Sequence, residues 1–257
     1  MICINSPITD PYFNLAAEEF LLKNFTEDVF MVWQSEPSVI IGRHQDVQAE
    51  VNLALAREHE IKIARRSSGG GAVYDDLGNV NLTFIENSKN PDFGKFSTLM
   101  IDFLKTLGLN AEVDARRGLT VKGLKISGSA QSIFGGRILF HASLLFSTNL
   151  SMLTSVLEGD LSALEQLSDT KRRSYVKSVK SKVTNIVQHL DQPMQMNEFK
   201  ELIIKEMMAQ EGPTNIYTFS EQDKMKIALL RDEKYKTPSW NLGLNRLDNS
   251  YSVNLKT

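Results

Sequence analysis

The chain has 257 residues, 42% of them hydrophobic and 23% charged, with a formal net charge of −2. That length suits one large domain or two small ones, and the charge balance excludes a general attraction to nucleic acid or to an anionic membrane. No apolar run approaches the ~20 residues that cross a bilayer. The opening MICINSPITD lacks a basic-then-apolar leader. The single cysteine, Cys3, cannot close an internal disulfide, so a protein of a reducing cytoplasm is expected.

In chain order, NLAAEEFLLKNF carries apolar residues at helical spacing, with Asn14 as a candidate cap and Glu18 and Glu19 in its first turns. VFMVWQ and PSVIIG are short, rich in branched residues and separated by polar SEP, so they read as paired strands. Gly42 ends the second, and Arg43-His44-Gln45 follow. VNLALAREHEI reads as a helix, IKIARR and GNVNLTFI as strands, and FSTLMIDFLKTLGL as an amphipathic helix stopped by Gly108. GLTVKGLKISGSAQ and RILFHASLLF read as two strands around a turn at Phe134-Gly135-Gly136. After Asn149, SMLTSVLEGDLSALEQL is helical, DTKRRSYVKSVKSKVTNI basic and irregular, and MNEFKELIIKEMMAQ a helix closed near Gly212-Pro213. KYKTPSWNLGLNRLDNS reads as loop. No repeat or linker divides the chain, so one domain, 1–257, is expected. Helices and strands mix without strict βαβ alternation, which predicts an α+β fold with mixed, largely antiparallel sheets flanked by helices.

Two stretches carry chemistry. RRSSGGGAVYDDLGN, Arg65 to Asn79, holds three successive glycines that bring no packing side chain. Glycines of this kind allow close approach to the backbone, and consecutive N–H groups form an anion-binding nest. Arg65 and Arg66 add forked cationic donors, and Ser67 and Ser68 add hydroxyls. The loop matches neither GxGxxG nor GxxxxGK[ST]. A phosphate-bearing ligand fits it, and a purely structural turn is the plain alternative. Asp75, Asp76 and Asn79 could hold Mg²⁺, ribose hydroxyls or the turn itself. In KGLKISGSAQ, strand alternation turns Lys125 away from Leu124 and Ile126, and Gly128 lets the backbone approach a ligand. An exposed strand lysine is the plain reading; a cation aimed at an anion on the glycine loop is the functional one.

These stretches, with NLAAEEFLL, VWQSEPSVIIGRHQDVQAEVN, FHASLLF, KSVKSKVTNI and the closing KYKTPSWNLGLN, strongly resemble the lipoate–protein ligase A family, in order over nearly the whole chain. The GRGRxxRxW-type signature of biotin ligases is missing. The resemblance implies a catalytic domain like that of biotin ligases and class II synthetases. It implies ATP- and Mg²⁺-dependent activation of lipoate to lipoyl-adenylate, then transfer to a lysine of a lipoyl domain. The implied acceptors are 2-oxoacid dehydrogenase E2 subunits or the glycine-cleavage H protein. It makes Lys125 the catalytic residue. Trp33, Arg66, Ser68, Gly69, Gly70, Gly71, Tyr74, Asn79, Gly128, Ser129 and Ala130 become the binding set, and Arg65 and His141 are supporting. Asp75 and Asp76 are secondary candidates for the metal. The basic run Lys171–Lys182 is either a solvated face or a dock for acidic lipoyl domains.

Three departures stand out. Asp75-Asp76 replaces the family's histidine–aspartate. Arg116-Arg117-Gly118 replaces Arg-Asn-Asp. The chain ends just after WNLG, which predicts a catalytic domain without the family's small C-terminal domain, with a separate accessory subunit as one way to complete it. The leading expectation is a ligase. The alternatives are a lipoyl or octanoyl transferase using preformed acyl-adenylate, or a non-catalytic lipoate binder. Cys3 lies far in sequence from both motifs, which counts against thioester chemistry.

Overall fold

The computed structural model describes residues 1–87, 92–166, 175–210 and 214–243. In chain order, β1 (Ile2–Asn5) precedes α1 (Pro11–Asn24), then β2 (Val29–Trp33) and β3 (Ser38–Ile41). Short helices α2 (Val47–Glu50) and α3 (Leu53–Glu58) lead to β4 (Lys62–Arg65) and β5 (Val73–Asp75). The long strand β6 (Asn79–Asn87) and helix α4 (Gly94–Thr106) come next, followed by β7 (Ala111–Val113), β8 (Leu119–Val121), β9 (Leu124–Phe134) and β10 (Arg137–Leu145). Helices α5 (Leu150–Val156), α6 (Met196–Gln210), α7 (Glu221–Leu230) and α8 (Pro238–Leu242), with the short strand β11 (Asn215–Ile216), follow. The expected helix stop at Gly212-Pro213, residues 171–174 of the basic run and 244–257 lie outside the described residues.

An eight-stranded sheet runs β11-β1-β2-β6-β10-β9-β8-β7, and a three-stranded sheet runs β4-β3-β5. Pairing is antiparallel from β2 through β7 and parallel where β1 meets β2 and β11. This is the mixed, mostly antiparallel α+β architecture that the sequence predicts. The β9–β10 hairpin turns at Gly135 and Gly136, whose φ values of 57° and 80° suit the twisted two-residue turn that needs positive φ at both positions.

Alternation along β6 divides the molecule. Val80, Leu82 and Phe84 join Phe96, Phe103, Phe140 and Phe199 in one core under α4 and α6. The opposite face carries Asn79, Asn81 and Thr83, all buried. A fully buried polar face must find partners, and α1 and the small sheet supply them. Helix α1 is buried nearly all round, including Asn14, Glu18 and Glu19, as a helix covered on both sides must be.

Three expectations need correction. VFMVWQ and PSVIIG do not pair: β2 lies in the large sheet and β3 in the small one, between β4 and β5. The turn SEP therefore crosses between sheets. Asp10, not Asn14, caps α1, accepting from Tyr12 N at 3.2 Å. Asn14 instead lies inside the helix, bonded to Ser6 and to the carbonyls of Ile8 and Gln34. The described part of the C-terminal stretch, up to Gly243, is not loop either. It forms a single wide turn at Arg231–Tyr235 and then α8, capped by Thr237 and closed by Gly243 at φ 72°.

Candidate active site

The chain leaves β4 at Arg65 and turns through Arg66–Gly71 over the polar face of the large sheet. Arg66 organises this turn. Its Nε donates to Ser68 Oγ and to Gly69 O, both at 3.1 Å. Its Nη2 donates to the carbonyls of Gly69 and Gly71 at 2.7 Å, and its Nη1 to Ile40 O at 3.0 Å. A guanidinium has five N–H groups, so one Nη1 hydrogen is left without an acceptor among the described residues. Burial brings Arg66 down to about 10, which leaves it charged at neutral pH. Gly70 has a φ of +88°, and its carbonyl would lie 2.1 Å from a Cβ on Gly42; two backbones meet there as only glycine allows. The amides of Gly69, Gly70 and Gly71 donate to no acceptor among the described residues, which leaves them open to an anion.

A polar relay runs from this turn into the protein. Ser68 Oγ accepts from Arg66 and meets His141 Nε2 at 2.8 Å. On the other side of the ring, His141 Nδ1 donates to the Glu18 carboxylate, which can only accept, at 3.0 Å. Thr83 Oγ1 donates to Glu18 at 2.6 Å and accepts from Trp33 Nε1 at 3.0 Å. The strand register makes this possible. Met31, Thr83, His141 and Ala130 are successive cross-strand partners from β2 to β9, and Trp33, Asn81, Ser143 and Gly128 form the neighbouring rung.

Between the turn and these rungs lies a cavity of about 300 Å³, at the lower end of the range for small-ligand sites. Trp33, Leu15 and Ile40 wall one end; Lys125, Gly118 and Gly128 wall the other. Lys125 Nζ lies over Gly128, 3.6 Å from where a Cβ there would stand. Among the described residues it has no hydrogen-bond partner. Burial pushes the ammonium below its usual range, Asp114 opposes that, and Arg116 adds to it. The strand at Lys125 is held by a passing segment: Lys125 N donates to Lys182 O at 2.8 Å, and Thr184 N donates to Lys125 O at 3.0 Å. The same segment lays Lys177, Ser178 and Val179 along the cavity. Ser178 Oγ accepts from Ala72 N and from Gln45 Nε2. A second cavity of about 140 Å³ adjoins the first across Lys125, Gly128 and Ser178, with Tyr74, Leu145 and Leu153 on its far walls.

The model of the lipoyl protein ligase A/B catalytic domain matches residues 10–208. The chain belongs to this family. It is 35% identical over 248 residues to lipoate–protein ligase 1 of Staphylococcus aureus, covering 94% of this chain and 73% of that protein. A bi-partite lipoate protein ligase of Thermoplasma acidophilum, solved in a study with its E2 lipoyl domain, superposes with a TM-score of 0.78 at 27% identity over 96% of this chain and 98% of that one. A lipoate-protein ligase A bound with ATP gives 0.76 at 26% identity over 95% and 100%.

Set on this lipoyl ligase-type domain, the expected residues sort themselves by geometry. Lys125, Trp33, Arg66, Gly70, Gly71, Gly128, Ser129, Ala130 and His141 line the larger cavity. Tyr74 lines the smaller one. Ser68 and Gly69 stand behind the wall and hold Arg66. Asn79 is fully buried, donating to Asp75 and to Tyr74 O and accepting from Thr148. Arg65 lies outside the cavity, its guanidinium turned to backbone carbonyls. Asp75 lines the cavity at 1% exposure, and Asn79 and Asn81 donate to its two oxygens. Desolvation lifts it from 3.8 to about 7. Asp76 caps backbone instead, one oxygen accepting from Gly78 N and the other from Asn149 N. Among the described residues no group of three or more His, Cys, Asp or Glu side chains could hold a metal.

Sequence reasoning missed Leu15, Asn81, Ser143 and the Glu18 carboxylate. For Asn81 the signal was polarity at a strand position that alternation buries, as at Thr83; Leu15 carried none. Cys3 is buried, its thiol is pushed up to about 11 by desolvation, and it lines neither cavity. A thiolate nucleophile is therefore not available there.

Proposed function

We propose that this protein is a lipoate–protein ligase. A lipoate carboxylate oxygen attacks the α-phosphorus of ATP and pyrophosphate leaves. A lysine amine of the acceptor then attacks the acyl carbonyl and AMP leaves. The acyl chain takes the larger cavity, from Trp33 to Lys125, and the nucleotide base takes the smaller one beside Tyr74. The reacting mixed anhydride then falls at their shared wall. There the Lys125 ammonium and the Gly70 and Gly71 amides meet the negative charge that develops on the carboxyl and α-phosphate oxygens. Aimed charges and dipoles of this kind are often the largest single contribution to catalysis.

The observation that carries the reading is this convergence of an unpartnered lysine and unpartnered amides on one cavity that continues into a second. The relative's name and the ATP-bound neighbour support it. Mg²⁺ would enter with the triphosphate; the oxygens of Asp75 and Asp76 already accept from protein donors, so the phosphates are its better ligands. The chain acts as a single catalytic unit. The proposed acceptors are lipoyl domains of E2 subunits or the H protein, and an accessory subunit is the proposed aid to the adenylation step. No described helix is long and apolar enough to cross a membrane.

The test is a pair of feeds. The protein is incubated with a lipoyl domain and either lipoate with MgATP or synthetic lipoyl-adenylate, and the domain is weighed by mass spectrometry. Lipoylated domain from both feeds is the expected result. Product from adenylate alone would reduce the activity to transfer, and product from neither would overturn the proposal.

A further inference from the structure

Arg65 and Arg66 are adjacent and both buried, yet they serve different ends. Arg65 reaches away from the cavity to α8. Its backbone N–H donates to Asn241 Oδ1 at 2.9 Å, and Trp240 Nε1 donates to its carbonyl at 2.7 Å. Its Nε donates to Trp240 O at 2.9 Å and its Nη2 to Asn241 O at 3.0 Å. Helix α8 therefore grips both the backbone and the side chain of the residue that precedes the cavity's arginine.

The grip is passed on. Arg65 Nη1 donates to the carbonyls of Gly42 (2.8 Å), Arg43 (3.2 Å) and Gln45 (2.8 Å). That short loop touches both covers of the cavity. Arg43 N donates to Ser68 O at 2.9 Å, and Gly42 abuts the Gly70 carbonyl. Gln45 Nε2 donates to Val176 O at 3.1 Å and to Ser178 Oγ at 2.9 Å. The α8 turn is itself held firmly, since Asn241 Nδ2 donates to Tyr235 O at 2.7 Å and Tyr235 bonds Glu19 on α1.

We propose that Trp240 and Asn241 are positioning residues, which act through Arg65 to set where the glycine turn and the Val176–Ser178 segment stand relative to Lys125. The proposal rests on the ligase reading for its substrate but not for its geometry. The chemical logic is that an acyl-adenylate needs the glycine amides and the lysine in register at once. Displaced walls hold the adenylate less tightly, and small misplacements by residues outside the site cost large factors in kcat/KM.

The experiment uses the full chain with Asn241→Ala, Asn241→Asp and Trp240→Phe. KM and kcat are measured for synthetic lipoyl-adenylate, with amide hydrogen exchange and Tm alongside. Asn241→Ala and Trp240→Phe are expected to raise KM for the adenylate on the order of 10- to 100-fold and to change kcat less. Exchange is expected to quicken over residues 66–72 and 175–178. Asn241→Asp keeps an acceptor for the Arg65 N–H and is expected to restore KM, although it loses the bond to Tyr235. Wild-type KM in both Asn241→Ala and Trp240→Phe, with faster exchange confined to 235–243, would overturn the proposal. So would an Asn241→Asp variant as impaired as Asn241→Ala. If the wild-type protein itself makes no product, the ligase reading fails, and the exchange pattern alone decides the positioning role.

Discussion

Ser68 Oγ lies 2.8 Å from His141 Nε2 and joins the glycine turn to the middle of the large sheet. The contact explains why a serine stands two places after Arg66 and why a histidine sits in the stretch FHASLLF. Ser68 relays Arg66 to His141, and His141 relays Ser68 to the buried Glu18. Each group in the chain satisfies the next, and a half-satisfied buried network is costly.

His141→Ala should therefore act beyond its own contact. It leaves the Ser68 hydroxyl without its imidazole partner and removes one donor to Glu18. Leaving buried polar groups unpaired costs about 1–3 kcal/mol. Urea unfolding should show a loss of that order. Steady-state kinetics should show KM for the acyl ligand rising more than kcat falls, because His141 shapes the wall and not the reacting bond. A fall in kcat alone would contradict this.

Asp114 supports the charge on Lys125 from outside the cavity, against the larger effect of burial. Burial holds the lysine below its usual range, and the Asp114 carboxylate opposes that shift. Its Oδ2 would lie 3.0 Å from a Cβ on Gly118, and Lys125 Cε 3.3 Å from the same point. The missing side chain at 118 thus leaves room for both. Only the protonated lysine stabilises the anhydride oxygens, so activity falls at high pH as the lysine loses its proton. Asp114→Asn removes a stabilising charge, lowers the lysine further and should move the alkaline limb of kcat/KM to lower pH. Arg116→Gln should move it the other way. Rate–pH profiles of the two variants check the sign.

Asp75 should leave a mark on stability. Its folded value of about 7 lies above the ordinary 3.8. Between those values the folded protein holds a proton that the unfolded chain has released. Stability therefore falls as pH rises through that window. Asp75→Asn keeps the shape and removes the titration. Its amide nitrogen opposes the Asn79 or Asn81 donor and lowers Tm throughout, but that Tm should fall less than the wild-type Tm across the same range. Parallel Tm–pH curves for the two proteins would contradict the account.

How much of this was legible in the chain varies by element. The α+β class, the β9–β10 hairpin at Gly135-Gly136 and helix α4 follow from local patterns, because their partners are close in sequence. The glycine turn was visible because three successive glycines bring no packing side chain, and Lys125 because alternation set it apart from Leu124 and Ile126 and the family resemblance marked it. The separation of β2 from β3 was not visible, since two apolar strands joined by SEP carry the same pattern whether they pair or part. Helix α8 escaped notice because its stability comes from Arg65, 175 residues away from Trp240. Glu18 looked like an ordinary first-turn acid; only the register that brings His141 and Thr83 over it reveals its partners.

Lys125→Ala offers the most direct test of the site. The variant should still bind lipoyl-adenylate, measured by isothermal titration calorimetry, because the cavity walls and glycine amides remain. Transfer to a lipoyl domain from that same adenylate should fall by a factor on the order of 10²–10³ or more. Undiminished transfer by Lys125→Ala would contradict the assignment and, with it, the claim that lysine and glycine turn act on one bound acyl-adenylate.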